Sequence, residues 1–296
     1  MTKLIFGCGY LGERVAARWR ANGEDVVVVT RSKEHASYFR RLGFKPIVAD
    51  VTLPDTLTQL PSADTVLFAV GDDRVGGPAP FFVYASIRYV LTALPTNTGR
   101  FIYISTTGVY GSAGGDWVDE QTPPDPQRDG ARASLASEQA LLEHPLGTDA
   151  VVLRLAGIYG PGRIPFQKEL RAGAPLEVPS TGYLNLIHVD DAAMVVLAAA
   201  DQRTLGPSAS TLSQPQVYCV SDGHPVTRHD FYREVARLSK SPQPQFVEAD
   251  PNSPRAIRAR GDRRIRNDKM LAELQVKLTY PDYRAGLASL LETENQ

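Results

Sequence analysis

The segment Gly7-Cys8-Gly9-Tyr10-Leu11-Gly12 restricts the folds open to this chain more than any other, because its three glycines follow one apolar run, Leu4-Ile5-Phe6, and open an amphipathic one. Gly7 permits the tight turn, Gly9 lets a pyrophosphate approach the backbone, and Gly12 lets the next helix lie close to the strand. That helix, Leu11 to Ala21, carries Leu11, Val15, Ala16 and Trp19 on one face. A helix N-terminus offers N–H groups and the positive end of a dipole to an anion. Glycine turns are common, but here strand, turn, helix and the next strand, Asp25 to Thr30, all fit. The segment reads as the phosphate cradle of a dinucleotide-binding βαβ unit.

The alternation continues to about residue 155. Further strands are expected at Phe44 to Val48, Asp64 to Val70, Arg100 to Ser105 and Ala150 to Leu155, after a first one at Lys3 to Phe6. Several are too uniformly apolar to have one wet face, which points to a parallel sheet covered on both sides. Helices are expected at Ala79 to Leu94 and Ala131 to Glu143. The fold class is therefore α/β, a doubly wound parallel sheet. Beyond Leu155 the texture changes, with Gly160-Pro161-Gly162, Pro165, Pro175 and Pro179 cutting the chain into short pieces. Helices there are expected at Pro165 to Ala172, Asp190 to Ala200, Arg228 to Ser239, Asp268 to Leu274 and Tyr283 to Leu291, with surface loops at Asp201 to Pro215 and Ser241 to Pro254.

Charge and cysteine content exclude several functions. Thirty-two Lys and Arg face 33 Asp and Glu in 296 residues, and a net charge of −1 gives no field to draw in nucleic acid or an anionic membrane. Two cysteines, Cys8 and Cys219, make no disulfide framework and suit a reducing compartment. The apolar run after Met1 is too short for a signal or membrane segment, so a cytoplasmic protein is expected. The five histidines lack zinc-site spacing and there is no G-x-S-x-G elbow, so no metal is expected. Cys8, inside the phosphate turn, reads as a small packing residue. Arginines gather between Arg255 and Arg266, either as a solvated loop or as a pocket wall that meets an anionic group.

The end of the second strand tells which dinucleotide to expect. A carboxylate there accepts from a ribose 2′-hydroxyl, whereas an arginine accommodates a 2′-phosphate. The chain has Thr30-Arg31-Ser32, three donors and no acid, which favours NADP(H) over NAD(H). Asp50, past the third strand, either reaches an adenine amino group or caps the turn from Thr52 onward.

Four motifs in register carry a resemblance. The glycine turn, Tyr103-Ile104-Ser105-Thr106-Thr107-Gly108-Val109-Tyr110-Gly111, Leu153-Arg154-Leu155-Ala156-Gly157-Ile158-Tyr159-Gly160-Pro161-Gly162 and Ile187-His188-Val189-Asp190-Asp191-Ala192 resemble the extended short-chain dehydrogenases/reductases of the NAD-dependent epimerase/dehydratase family. Asn185-Leu186-Ile187-His188, Val220-Ser221-Asp222 and Tyr280-Pro281-Asp282-Tyr283-Arg284-Ala285-Gly286-Leu287 resemble its YeeZ-like branch. The resemblance implies a Rossmann domain over residues 1–156 with about 183–201, and a smaller substrate region over 157–182 and 202–296. It implies further cofactor contacts from Tyr10, Leu11, Val51, Ala69, Val70, Gly71, Ala156, Gly157 and Ile158. Thr107, Tyr159, Arg163, Asn185 and His188 would face a small-molecule substrate, and a homodimer is left open. His188 also reads as a hydrogen-bonded hinge residue, with Asp190 capping the helix behind it and Asp191 in its first turn.

Family members pair a Ser or Thr after the fifth strand with a Tyr and, four residues on, a Lys that favours the phenolate. Thr106 fits the first position. Gly130 and Ser134 fall where the Tyr and Lys belong, and neither does their chemistry. Asp129, Tyr110 and Tyr159 are the candidates for a displaced proton donor, each with a capping or packing role as its alternative. Two functions stay open: an oxidoreductase or epimerase on a small polar, sugar-derived substrate, or an NADP(H)-binding sensor that has lost catalysis. Leu184, Asn185 and Leu186 replace the arginine that nucleotide-sugar members carry before the His-Val-Asp-Asp segment, which weakens a nucleotide-sugar substrate.

Overall fold

The structure, a computed structural model, describes residues 1–71, 82–202 and 216–292. Its elements run β1 (Thr2–Phe6), α1 (Gly12–Ala21), β2 (Asp25–Thr30), α2 (Lys33–Arg41), β3 (Lys45–Val48), β4 (Thr65–Phe68), α3 (Phe82–Ala93), β5 (Arg100–Thr106), β6 (Trp117–Val118), α4 (Asp129–Leu142), β7 (Val151–Leu155) and β8 (Gly157–Tyr159). They continue with α5 (Gln167–Arg171), β9 (Leu176–Glu177), β10 (Tyr183–Leu184), β11 (Leu186–His188), α6 (Val189–Asp201), β12 (Gln216–Val220), β13 (Val226–Thr227) and α7 (Arg228–Leu238). The chain ends with β14 (Phe246–Val247), α8 (Pro254–Ala259), β15 (Arg264–Ile265), α9 (Asp268–Leu274) and α10 (Tyr283–Leu291).

Seven strands form one sheet in the order β12-β7-β5-β4-β1-β2-β3. β1 lies parallel to both β2 and β4, with Phe6 opposite Val29 and Phe68. Chain order reverses at β1, so the carboxyl ends of β1 and β4 open the crevice in which doubly wound sheets bind ligands. This is a Rossmann-type α/β fold. The strands form where β-branched and aromatic residues run together, as in Val26–Val29, and β1 and β4 are buried along nearly their whole length.

Two compact units divide the chain. The first comprises Met1–Thr106, Asp129–Arg154 and Ala193–Tyr218, and it holds the seven strands apart from Leu155, Cys219 and Val220. Its core joins Leu4, Phe6, Val66, Phe68, Phe101 and Tyr103 with Ile87 and Val90 of α3. The second comprises Thr107–Arg128, Leu155–Ala192 and Cys219–Gln296, built from short strand pairs and packed around Phe231, Tyr232, Tyr159, Tyr283 and Leu287.

Several elements lie outside the sequence expectation: α2, β12, α8 and the short strands β6, β8 to β11 and β13 to β15, with β14 inside the stretch expected as a loop. α2 carries only two buried residues, Ala36 and Phe39, so its charged sequence shows little apolar period. β12 is only five residues long. The expected start of a helix at Ala79 and most of the Asp201 to Pro215 loop fall outside the described residues; Asp201 itself closes α6. No helix among the described residues is long and apolar enough to cross a membrane.

Candidate functional site

In the first unit the glycine turn closes on β4. Gly7 has φ +87°, and a Cβ there would come within 2.5 Å of the Ala69 carbonyl carbon and 2.7 Å of the Val70 nitrogen. A Cβ on Gly12 would collide with the Gly7 carbonyl oxygen, so helix and turn touch backbone to backbone. Gly9 differs, since a Cβ there would meet no atom within 4 Å. The turn is braced by Gly9 N–H donating to Gly7 O (2.9 Å) and Glu13 N–H donating to Gly9 O (2.8 Å). No side chain caps α1 at Leu11. Gly7, Gly9, Leu11, Gly12, Ala69 and Val70 are thus gathered at the end of β1, with Gly71 exposed beyond them. Tyr10 lies under the Arg14 guanidinium, 4.3 Å from its ring centroid. The Cys8 thiol is pushed up to about 12, first by burial and then by Glu13, so it stays protonated.

At the end of β2, Ser32 Oγ caps α2 by accepting from Glu34 N–H and His35 N–H, both at 3.2 Å. Its own hydroxyl proton is still available. Arg31 is exposed beside it. Asp50 Oδ1 accepts from the Thr52 N–H (2.9 Å) and hydroxyl (2.7 Å), closing a turn before the 3₁₀ segment Pro54–Thr56, and Val51 is buried below it.

Thr106 ends β5, and the turn Thr107–Tyr110 follows, with Thr107 buried. Ser105 donates to Glu138 Oε1 at 2.5 Å. Arg154 takes the same carboxylate in a fork, Nε to Oε1 at 3.1 Å and Nη2 to Oε2 at 2.7 Å, so β5, α4 and β7 share one buried ion pair. On α4, Ser134 Oγ donates to Gly130 O at 2.9 Å. The Tyr103 phenol is driven up by burial, opposed by the nearby Ser137 and Ser134 hydroxyls.

The three candidate proton donors each have partners of their own. Asp129 is exposed and pairs with Arg132 Nη1 at 2.9 Å. Tyr110 is buried with its hydroxyl 3.1 Å from Cys219 Sγ. Tyr159 is buried against Gly286, where any Cβ would overlap its hydroxyl, and burial followed by Asp222 drives its phenol far up.

In the second unit Tyr159 meets His188 edge-on, ring centroids 5.3 Å apart, and His188 lies 3.9 Å from the Tyr280 ring. His188 Nδ1 accepts from Asp190 N–H at 3.2 Å, which holds the ring at the start of α6. Asp191 is buried in the first turn of α6, as the sequence placed it, and it also accepts from the Thr279 (2.8 Å) and Tyr280 (2.9 Å) N–H groups, so it clamps the chain before α10. The Ala156 N–H donates to Val220 O and the Gly157 N–H to Asn185 O, both at 2.9 Å, and Ile158 pairs with Ile187. Arg163 is exposed at a turn bridged to Gly160. Asn185 Nδ2 donates to Arg263 O (2.9 Å) while its Oδ1 accepts from Ile265 N–H (2.7 Å).

Sequence reasoning missed Asp222 and Arg263 as individuals. The Asp222 carboxyl is pushed up to about 7, chiefly by burial. The Arg263 guanidinium is pulled down to about 10, by burial and then by Arg128. The cluster Arg255 to Arg266 was the available signal for the second. This unit also contains a cavity of about 470 Å³ walled by Val178, Pro179, Phe246, Val247 and Ala256, with Ser180, Thr181, Glu248 and Arg260 among its polar members. That volume suits a small organic molecule.

Known proteins match the chain along its length. The model of the family described as "NAD dependent epimerase/dehydratase family" matches residues 4–213. Protein YeeZ of Escherichia coli (strain K12) is 31% identical over 288 residues, covering 94% of this chain and 96% of its own. A conserved protein of unknown function from Silicibacter pomeroyi DSS has a solved structure similar over 100% of this chain and 99% of its own, at 30% identity and a TM-score of 0.76. The UDP-glucose 4-epimerase of Thermus thermophilus, solved with NAD, shares the fold with a TM-score of 0.79 at 18% identity, over 99% of this chain and 98% of its own.

Proposed function

The chain belongs to the NAD dependent epimerase/dehydratase family, and from that premise we propose that it is a cytoplasmic NADP(H)-dependent oxidoreductase or epimerase acting on a small polar, sugar-derived substrate, alone or as a homodimer. The observation that carries the cofactor half is the clearance above Gly9 beside an uncapped helix N-terminus. Gly7 and Gly12 keep the backbone close, and Gly9 leaves room for a pyrophosphate. Bound there, a dinucleotide supplies the hydride exchange that the family's chemistry uses. Thr30, Arg31 and Ser32 would hold a 2′-phosphate, since Arg31 is exposed and Ser32 retains a donor proton after capping α2. The second Asp50 oxygen would take the adenine amino group. The Thr106 hydroxyl would hold the substrate oxygen, with Thr107, Tyr159, Arg163, Asn185 and His188 on the substrate side.

One observation favours the sensor as a second reading. By the resemblance Gly130 and Ser134 would occupy the Tyr and Lys positions, and the Ser134 proton already goes to Gly130 O. A protein using this site for signalling would bind the nucleotide and exchange no hydride.

Calorimetric titration with NADPH, NADP, NADH and NAD tests the proposal. The phosphorylated pair should bind at least about tenfold tighter, and Arg31→Ala should erase that margin. Equal affinities in both proteins would overturn the NADP(H) assignment. Thr106→Ala should abolish turnover in an enzyme while leaving NADPH affinity within about threefold of the wild type.

A further inference from the structure

Thr30, Arg31 and Ser32, the residues proposed for a 2′-phosphate, lie where β2 runs into α2, so their placement follows that of α2. That helix is weakly held. Of its nine residues only Ala36 and Phe39 are buried, and Phe39 meets Phe44 beyond the helix, ring centroids 6.2 Å apart. Toward α1 the packing is incomplete. A hollow of about 230 Å³ is lined by Glu13, Ala17 and Arg20 of α1 and by Leu42 and Phe44 past the end of α2. A helix with so little apolar burial takes its placement from the polar ties that reach it.

Two side chains of α1 make such ties. Arg20 lies over Gly43, where a Cβ would come within 2.5 Å of its Nε. Glu13 reaches α2 itself, where the Tyr38 hydroxyl donates to its Oε1 at 2.7 Å. The bond is charge-assisted, and it raises the Tyr38 phenol above its usual value. Tyr38 lies six residues beyond Ser32, about 9 Å along the helix at 1.5 Å per residue, so a tie there sets the tilt of α2. Glu13 also belongs to the glycine turn. It follows Gly12 directly, its N–H donates to Gly9 O at 2.8 Å, and its charge acts on the Cys8 thiol. One residue therefore joins the expected pyrophosphate cradle to the helix that Arg31 precedes and Ser32 caps.

We propose that the Tyr38–Glu13 bond sets dinucleotide specificity: it holds α2 at the tilt from which Arg31 and Ser32 grip a 2′-phosphate, and so favours the phosphorylated dinucleotide without touching it. Tyr38 is a positioning residue, and this role rests on the NADP(H) reading given above. A dinucleotide without the 2′-phosphate asks nothing of that grip and is indifferent to the tilt.

The test is calorimetry with NADPH and NADH on the wild type, Tyr38→Phe, Glu13→Ala, Glu13→Gln, the double variant Tyr38→Phe with Glu13→Ala, and Arg31→Ala. The readout is the ratio of the two affinities, because removing the Glu13 charge near an anionic ligand raises both alike. Tyr38→Phe takes one oxygen from a side chain at the surface, and it should lower the NADPH preference about threefold with NADH affinity unchanged. Glu13→Ala should lower the ratio as much and the double variant no further, since both break one bond. Glu13→Gln keeps an acceptor for the phenol and should keep most of the preference. A role in stability alone would shift the urea midpoint and leave the ratio where it was. An unchanged ratio in Tyr38→Phe, or losses that add in the double variant, overturns the proposal while a preference erased by Arg31→Ala leaves the NADP(H) reading standing. A wild type without preference, or a preference that survives Arg31→Ala, overturns the NADP(H) reading itself and this inference with it.

Discussion

Asp222 is 3% exposed, with Oδ1 accepting from the His224 N–H at 2.9 Å and Oδ2 buried without a donor. Burial lifts its carboxyl from 3.8 to about 7, so the folded chain holds a proton that the unfolded chain releases earlier. The stability from this group is complete below the unfolded value and is lost as pH rises through about 7. Asp222→Asn should therefore match the wild type near pH 4 and exceed it by on the order of 2–4 kcal/mol at pH 8 in urea unfolding. A pH-independent difference would contradict this. Glu138 makes the opposite case, because Arg154 and Ser105 depend on its charge. Glu138→Gln leaves a buried guanidinium underpaired and should cost about 3–5 kcal/mol, whereas Glu138→Gln with Arg154→Met should recover most of it. The glycines were legible in the sequence because each meets a separate steric demand. Asp222 and Arg263 were not, because a carboxyl or guanidinium becomes unusual only through what packs around it.

At the scale of elements, the sequence read well where one period dominates. β1, β2, β5 and β7 lie close to their expected ends, and α7, α9 and α10 agree within a residue or two. α2 was passed over because its fold signal is a cap rather than a stripe, Ser32 before a charged run. Asp191 shows a related limit. A carboxylate in a first helical turn suits the dipole, yet here it turns to the Thr279 and Tyr280 amides far along the chain, a pairing that no local pattern announces. Removing that charge should loosen the segment before α10. In Asp191→Asn the amide hydrogens of Thr279 and Tyr280 should exchange at least about tenfold faster, the equivalent of one to two hydrogen bonds to a charged acceptor. Unchanged protection would mean that the segment is held by its aromatic contacts instead.

Over the whole molecule, the first unit was readable from β/α alternation, and the strands of the second were not, since they are two or three residues long and pair across large gaps in sequence. The sheet order opens a crevice at the carboxyl ends of β1 and β4, which lie within the residues that the family model matches. The most direct test of a dinucleotide in that crevice is Gly9→Ala. A Cβ at Gly9 meets no protein atom within 4 Å, so the variant should unfold with the wild-type midpoint. The same methyl would enter the space proposed for a pyrophosphate, and NADPH affinity by calorimetry should fall by about tenfold or more. Wild-type NADPH affinity in a fully stable Gly9→Ala protein would place the dinucleotide elsewhere and contradict the reading of the glycine turn.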